Sequence, residues 1–478
     1  MNTQPSTDAT MRRSLQGRHM TMISIGGAVG AGLFVGSGAG IATAGPAILV
    51  SYGVTALLVV VIMRMLAEMS VARPDTGAFA HHARTAFGRW AGSTTGWMYW
   101  FGWPLGMAVE SIAVGKILHG WIPTVPAWLA ALGLLLLVTA INFISVRIYG
   151  EVEFWAVLLK VIVILGFISV GLLAIFGVLP GVGAPGTSNI LGAGGFFPMG
   201  ISGVISATAI AVFSFSGTEI VTIAAGEAAD PAAAIAKSTR TVVYRVSIFY
   251  LGSLAVIVML LPWNSGEVGE SPFVATLEHL GLKNGAAVIS AVVFVSLMST
   301  MNSQVYASSR MMYTLARDED APSFLGRLSS AGTPRNAIII TVGLAMGGAV
   351  LQFFYPTEAF IRLVNVGGCT VYLTWLTIAV TQIFLGRRDR REGRPPAAGT
   401  AMWFFPYASW VIVAAMVALM FVLLALPATR ADMAGALILT ALVVTASVWW
   451  QREHPKRAAR RAVTQDVTAT STSGTPVR

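Results

Sequence analysis

The sequence predicts an all-α integral membrane protein of about twelve transmembrane helices. Composition is the first reason: 55% of its 478 residues are hydrophobic, only 11% are charged, and mean hydropathy is +0.73. A soluble chain carries about 25% charged residues. The second is that apolar runs of about 20 residues, enough to cross a bilayer, recur from end to end. The third is that both halves open on an interrupted span.

The N-terminal stretch MNTQPSTDATMRRSLQGRHM is polar and basic. No small-residue cleavage site follows it, so it reads as a tail before a retained first span and not as a signal peptide. The spans expected after it, with ends uncertain by about four residues, are Met20–Ala44, Pro46–Val71, Thr94–His119, Val125–Val146, Val152–Val178 and Gly200–Ala225. The second half gives Thr241–Leu261, Gly285–Leu315, Ala337–Tyr355, Ala359–Leu385, Trp403–Leu426 and Met433–Trp450. The eighth is overlong and is expected to tilt or to extend beyond the bilayer.

The net charge of +10 does not point to nucleic acid, because the basic residues sit in tails and short alternate loops. Arg12, Arg13 and Arg18 precede span one, Arg73, Arg84 and Arg89 follow span two, and GRRDRREGR follows span ten. The opposite loops hold only Lys283 and Arg430. By the positive-inside rule both termini are expected in the cytoplasm. The uncharged LPGVGAPGTSNILGAGGFFPMG then lies outside, and the amphipathic GEAADPAAAIAKSTRTVVYR inside. The single cysteine, Cys369, excludes a disulfide within one chain.

Span one carries GGAVGAGLFVGSG, and each glycine inside a helix costs about 1 kcal/mol relative to alanine. Such a run is either a close-packing surface or a place where the helix comes undone. Span six carries AVFSFSGTEIV, with Ser214, Ser216, Gly217, Thr218 and Glu219 at membrane depth. Broken segments at corresponding positions of two halves point to a transporter binding site, which favours unwinding. Unwound backbone offers N–H groups to a carboxylate and C=O groups to an ammonium, so a zwitterion fits. A nucleotide-binding reading is the weaker one: GAGLFVG misses the G-x-G-x-x-G spacing and follows no strand.

The stretches RHMTMISIGGAVGAGLFVGSG, GRWAGSTTGWMYW, YGEVEFWAVLLKVIVILGF, FSFSGTEIVTIAAGE and NSQVYASSRMMYTLARDEDAP go further. With AGPAILVSYGVTALLVVVIMRMLAEMSVARPDTGAFA, they make the chain resemble the amino acid–polyamine–organocation superfamily, in its bacterial amino acid permease branch, and there the GABA permeases most of all. The resemblance covers about the first two thirds of the chain. It implies a LeuT-like 5+5 inverted repeat with discontinuous helices 1 and 6, plus two further helices. The expected organisation is a tail over 1–19, a transporter core over 20–385, a loop over 386–402, two helices over 403–450 and a polar tail over 451–478.

Carried over by this resemblance, the substrate site falls on Val29, Gly30, Ala31 and Gly32, with the amides of Ala31 and Gly32 holding the substrate carboxylate. Many relatives have a serine where this chain has Ala31. On span six the site falls on Phe213, Ser216 and Gly217, with the carbonyls of Phe213 and Ser216 facing the amine and the Phe213 ring as a gate. Lys160 stands about eight residues into span five, deep enough to strain snorkelling. A lysine there can exchange a proton, and the resemblance places it where sodium-coupled relatives bind sodium. It is expected to couple transport to protons, with no cofactor and no metal.

Glu110 and Glu219 are possible supports. Glu110 either lines the pocket or pairs with Lys116, although an i, i+6 spacing does not share a helix face. Glu219 either supports the site electrostatically or caps amides freed by the break. Glu151, Glu153 and the i, i+4 pair Arg64/Glu68 are expected at the inner boundary as gate or loop contacts. His81, His82 and His119 have no metal-ligand spacing and are expected in solvent.

A membrane enzyme would need H-E-x-x-H, a P-loop or G-x-S-x-G, and the sequence has none. A channel would lack the paired broken helices, whereas a non-transporting amino acid receptor would share the same site. The expected function is a secondary active, plasma-membrane amino acid importer using protons. GABA is the leading substrate by resemblance, and a neutral or other small α-amino acid the alternative.

Overall fold

A computed structural model describes Met22 and residues 29–454, apart from 76, 144–145, 181–183, 185, 226–230, 270, 330–331, 356–357, 395 and 398. The expected tails, most of the first half of span one, and the start of GEAADPAAAIAK lie outside the described residues.

Helices account for all twelve expected spans. Span one runs from Gly32–Gly36, wound as a π-helix, into Ser37–Ala44. Span two is Ile48–Ala72, span three Arg89–Trp121, span four Ala127–Asn142 and span five Val146–Ile175. Span six is split into Gly200–Phe215 and Ile220–Ala225. Span seven belongs to Pro231–Leu260, continuous with the amphipathic stretch before it. Spans eight to twelve are Lys283–Arg317, Arg335–Phe354, Ala359–Arg391, Tyr407–Ala425 and Pro427–Glu453. Span eight is indeed long, at 35 residues. Spans one and two are joined through Gly45, whose φ of 64° only glycine adopts without strain, followed by Pro46 in a 3₁₀ turn.

Counterpart spans of the two halves pack on each other. Span one lies on six, two on seven, three on eight and four on nine. This is the arrangement expected when two five-helix units are related by a pseudo-two-fold axis in the membrane plane. It puts the two interrupted spans side by side at the axis.

Two expectations near the boundary need correction. His82 is not solvated: it lies fully buried on the amphipathic helix Ala78–Phe87, its Nε2 3.0 Å from Ser70 Oγ. Burial, reinforced by His81 and Arg73, pushes its imidazole down to about 3 and keeps it neutral. Glu153 is not a loop contact, being fully buried beneath span eight with Ser299 Oγ donating to it at 2.9 Å. Glu68 reaches beyond its own helix, to Arg390 at 3.0 Å and to Gln382 Nε2 and the Met402 amide at 3.0 and 2.8 Å.

Candidate functional site

Val29 and Gly30 are non-helical, and the chain rewinds when Leu33 N and Phe34 N both donate to Gly30 O at 3.1 Å. Val29 O accepts instead from Lys160 Nζ at 3.1 Å, Thr300 Oγ1 at 3.0 Å and Ser296 Oγ at 3.2 Å. Across the same turn, Ala31 N donates to both carboxylate oxygens of Glu110, at 3.0 and 2.9 Å. An exposed carbonyl and an exposed amide, each costly in the bilayer, are thus satisfied by buried side chains of opposite charge.

The glycines divide their labour. A Cβ on Gly30 would collide with Glu110 Oε1 and stand 2.8 Å from Thr300 Cγ2. A Cβ on Gly32 would stand 2.5 Å from Ser214 Cα. Gly30 makes room for the carboxylate, and Gly32 lets span one lie against the backbone of span six.

Span six stops at Phe215 and resumes at Ile220. Gly217, at φ 96°, carries the reversal. Phe213 O accepts from both Ser216 N (3.1 Å) and Ser216 Oγ (2.7 Å). Glu219 Oε1 accepts from Gly217 N at 3.2 Å, which makes it a cap on an amide freed by the break. Tyr52 Oη lies 2.8 Å from Ser214 Oγ, and Tyr250 Oη donates to Ser214 O at 2.6 Å. These two tyrosines pin span six to spans two and seven.

Beside this break is a cavity lined by Phe213, Ser216 and Glu219, by Tyr99 and Trp103 of span three, and by Gln304 of span eight. It holds about 10 Å³, the room of a single water. Tyr99 Oη, Trp103 Nε1 and Gln304 Oε1 are buried without a hydrogen-bond partner. Three such atoms around one cavity are unusual, because buried polar groups are nearly always paired. The structure therefore brings Val29, Gly30 and Ala31 together with Glu110 and Lys160, while the cavity itself touches the span-six break. Sequence reasoning missed Tyr99, Trp103, Gln304 and Thr300. The i, i+4 spacing of Tyr99 and Trp103 and the polar run NSQ in span eight were the available signals.

The family profile described as "Amino acid permease" matches residues 19–459. The chain belongs to the amino acid permease family. The permease is 42% identical to the gamma-aminobutyric acid permease of Bacillus subtilis, over 95% of this chain and 97% of that one. It is 42% identical to the gamma-aminobutyric acid permease of Escherichia coli, over 87% and 90%. An aromatic amino acid transport protein of Corynebacterium glutamicum is 38% identical over 85% and 89%. Among solved structures, a manganese transporter mutant of Eremococcus coleocola superposes with a TM-score of 0.58, covering 94% of this chain and 98% of that one. At 15% identity this likeness shows the fold alone, a LeuT-like inverted repeat. Among the described residues no group of three His, Cys, Asp or Glu could hold a metal ion. The permease is a multi-span membrane transporter of amino acids and not an enzyme.

Proposed function

We propose that the permease imports GABA together with a proton across the plasma membrane, with both termini in the cytoplasm. The observation that carries this reading is the double capping of the span-one break: Lys160 on Val29 O and Glu110 on the Ala31 amide. A proton on Lys160 strengthens its hold on the break, and loss of that proton loosens it, which links protonation to the shape of the substrate site. The substrate carboxylate competes with Glu110 for the Ala31 amide. Its amine reaches the span-six break at Phe213 and Ser216, where Phe213 closes over it. The names of two relatives at 42% identity support GABA.

A small α-amino acid is the second reading, because the carboxylate site serves any amino acid. The aromatic amino acid transport protein argues less for this chain, since its identity is lower, at 38% against 42%. The test is reconstitution into vesicles with an imposed proton gradient and a panel of labelled amino acids. Concentrative, gradient-driven uptake of GABA is expected. Binding without uptake would replace the carrier with a receptor.

A further inference from the structure

On the arginine-rich side, far from the substrate site in sequence, the ends of spans two and ten enclose a second cavity, of about 250 Å³. Its walls carry Arg73 from just beyond span two, and Arg390 and Arg394 from the end of span ten and the loop after it, together with Glu68 and Asp389. Each arginine is paired with a carboxylate. Arg73 pairs with Asp389, Arg390 with Glu68 at 3.0 Å, and Arg394 with Asp389 at 3.2 Å and with Glu392. Arg390 is further fixed by its Nη1 bond to Gly386 O at 3.0 Å and by stacking over Phe405 at 3.7 Å.

A guanidinium has five donors in a rigid fork, so one carboxylate never exhausts it. Arg73 shows the surplus directly: its Nη1 is buried and has no hydrogen-bond partner. An unsatisfied buried donor on a charged group is costly, and the residue that carries it is part of the wall of a cavity large enough for an oxyanion. Both carboxylates in the wall are engaged by arginines, and three arginines line the one cavity.

The surroundings fix the depth. Trp403 is 44% exposed, Phe404 87% and Tyr407 79%, all within a few residues of one another after span ten. Arg64 stacks over Trp403 at 4.1 Å and Arg387 over Trp410 at 5.6 Å. Exposed tryptophan and tyrosine beside arginines are the mark of the headgroup layer, and basic pockets between spans at that level suit anionic headgroups. We infer that Arg73, Arg390 and Arg394 form a binding site for a phosphate oxyanion, of the kind a phosphatidylglycerol headgroup carries. A bound phosphate would tie span two to span ten, which packs against spans two, three and six.

The test uses the full chain purified in a neutral detergent. Its thermal unfolding midpoint is followed while short-chain phosphatidylglycerol, short-chain phosphatidylcholine or inorganic phosphate is added. Phosphatidylglycerol should raise the midpoint saturably, and phosphatidylcholine should not. Arg394→Gln, at an exposed position, should weaken the half-saturating concentration by about tenfold, the loss of one charge-assisted hydrogen bond. Arg73→Gln should abolish the response. An equal response to inorganic phosphate would keep the site and assign it to a soluble anion. If both variants only lower the midpoint and respond to phosphatidylglycerol as the wild type does, the arginines are a staple between spans and the inference fails. Equal stabilisation by phosphatidylcholine would overturn it as well.

Discussion

Lys160 and Glu110 grip the same interrupted turn of span one from its two sides. The lysine Nζ donates to Val29 O at 3.1 Å, and the glutamate takes the amide of Ala31, two residues on, at 2.9 and 3.0 Å. The carbonyl of Val29 and the amide of Ala31, which a regular helix would have paired within itself, are each held by a buried side chain of another span.

Substituting Lys160 should separate binding from coupling. Lys160→Gln keeps an N–H donor for Val29 O but loses the charge that a proton can switch, while Ser296 and Thr300 still hold that carbonyl. Equilibrium GABA binding should remain measurable, and accumulation against a gradient should be lost. Vesicle uptake by the variant that still follows an imposed pH gradient would remove the coupling role.

Glu110 occupies the amide that the substrate carboxylate is expected to use. Glu110→Gln replaces a charge-assisted acceptor with a weaker neutral one, so the substrate has less to displace. GABA should bind more tightly, by up to about tenfold. Binding that is lost outright in the glutamine variant would mean that Glu110 builds the site instead of competing for it.

Tyr99 offers a cleaner probe of the cavity, because its hydroxyl is buried and unpaired. Removing an unsatisfied buried hydroxyl costs the protein little and can stabilise it. Tyr99→Phe should leave the unfolding midpoint unchanged or slightly raised, yet weaken substrate affinity. A lowered midpoint with unchanged affinity would show that the hydroxyl serves the fold alone.

Much of this architecture was legible because the bilayer demands it. Every backbone polar group must be satisfied within a span, so length and hydropathy alone mark the helices, and the echo of GGAVGAGLF in FSFSGTE marks the paired breaks. What was not legible is which partner meets each break. The bond from Ala31 to Glu110 joins residues 79 apart, and that from Lys160 to Val29 joins residues 131 apart. Nothing in GAVGAG distinguishes Gly30, which admits a carboxylate, from Gly32, which touches span six. The difference lies in what approaches from spans three, six and eight. A substitution at Gly32 consequently disturbs helix packing as well as binding. His82 was misjudged for a related reason. The helix Ala78–Phe87 is short and polar enough to read as a solvated loop, and its burial follows from packing along span three.

His82 also gives the permease an acid limb. Its folded-state value of about 3 lies below the ordinary 6.5, so the unfolded chain binds the extra proton first. Stability contributed by the neutral ring is complete above about pH 6.5 and is lost as pH falls toward 3, by up to about 1.4 kcal/mol per pH unit. His82→Gln retains a polar partner for Ser70 and cannot titrate. Its midpoint, measured in detergent between pH 7 and pH 4, should fall less than that of the wild type. Parallel curves for the two proteins would place the acid sensitivity elsewhere.

Substrate length is decided by what lies between the two breaks. A backbone amide at Ala31 holds the carboxylate of any amino acid, so discrimination rests on how far the amine reaches and on what the remaining atoms meet. For a γ-amino acid the amine is the distal end, and it can reach the carbonyls near Phe213 and Ser216 with no side chain to house. An α-amino acid must also house its side chain, whereas the relatives that share 42% identity with this chain are named for the unbranched γ-amino acid. Unlabelled GABA should therefore compete for uptake better than alanine. N-acetyl-GABA and the methyl ester should compete poorly, because removing either charge leaves a buried group of the site unpaired, at about 1–3 kcal/mol. Strong competition by alanine with none by GABA would reassign the substrate and keep the transporter. Full competition by the methyl ester would mean that no carboxylate is read at the span-one break, and the assignment of the Ala31 amide would fall with it.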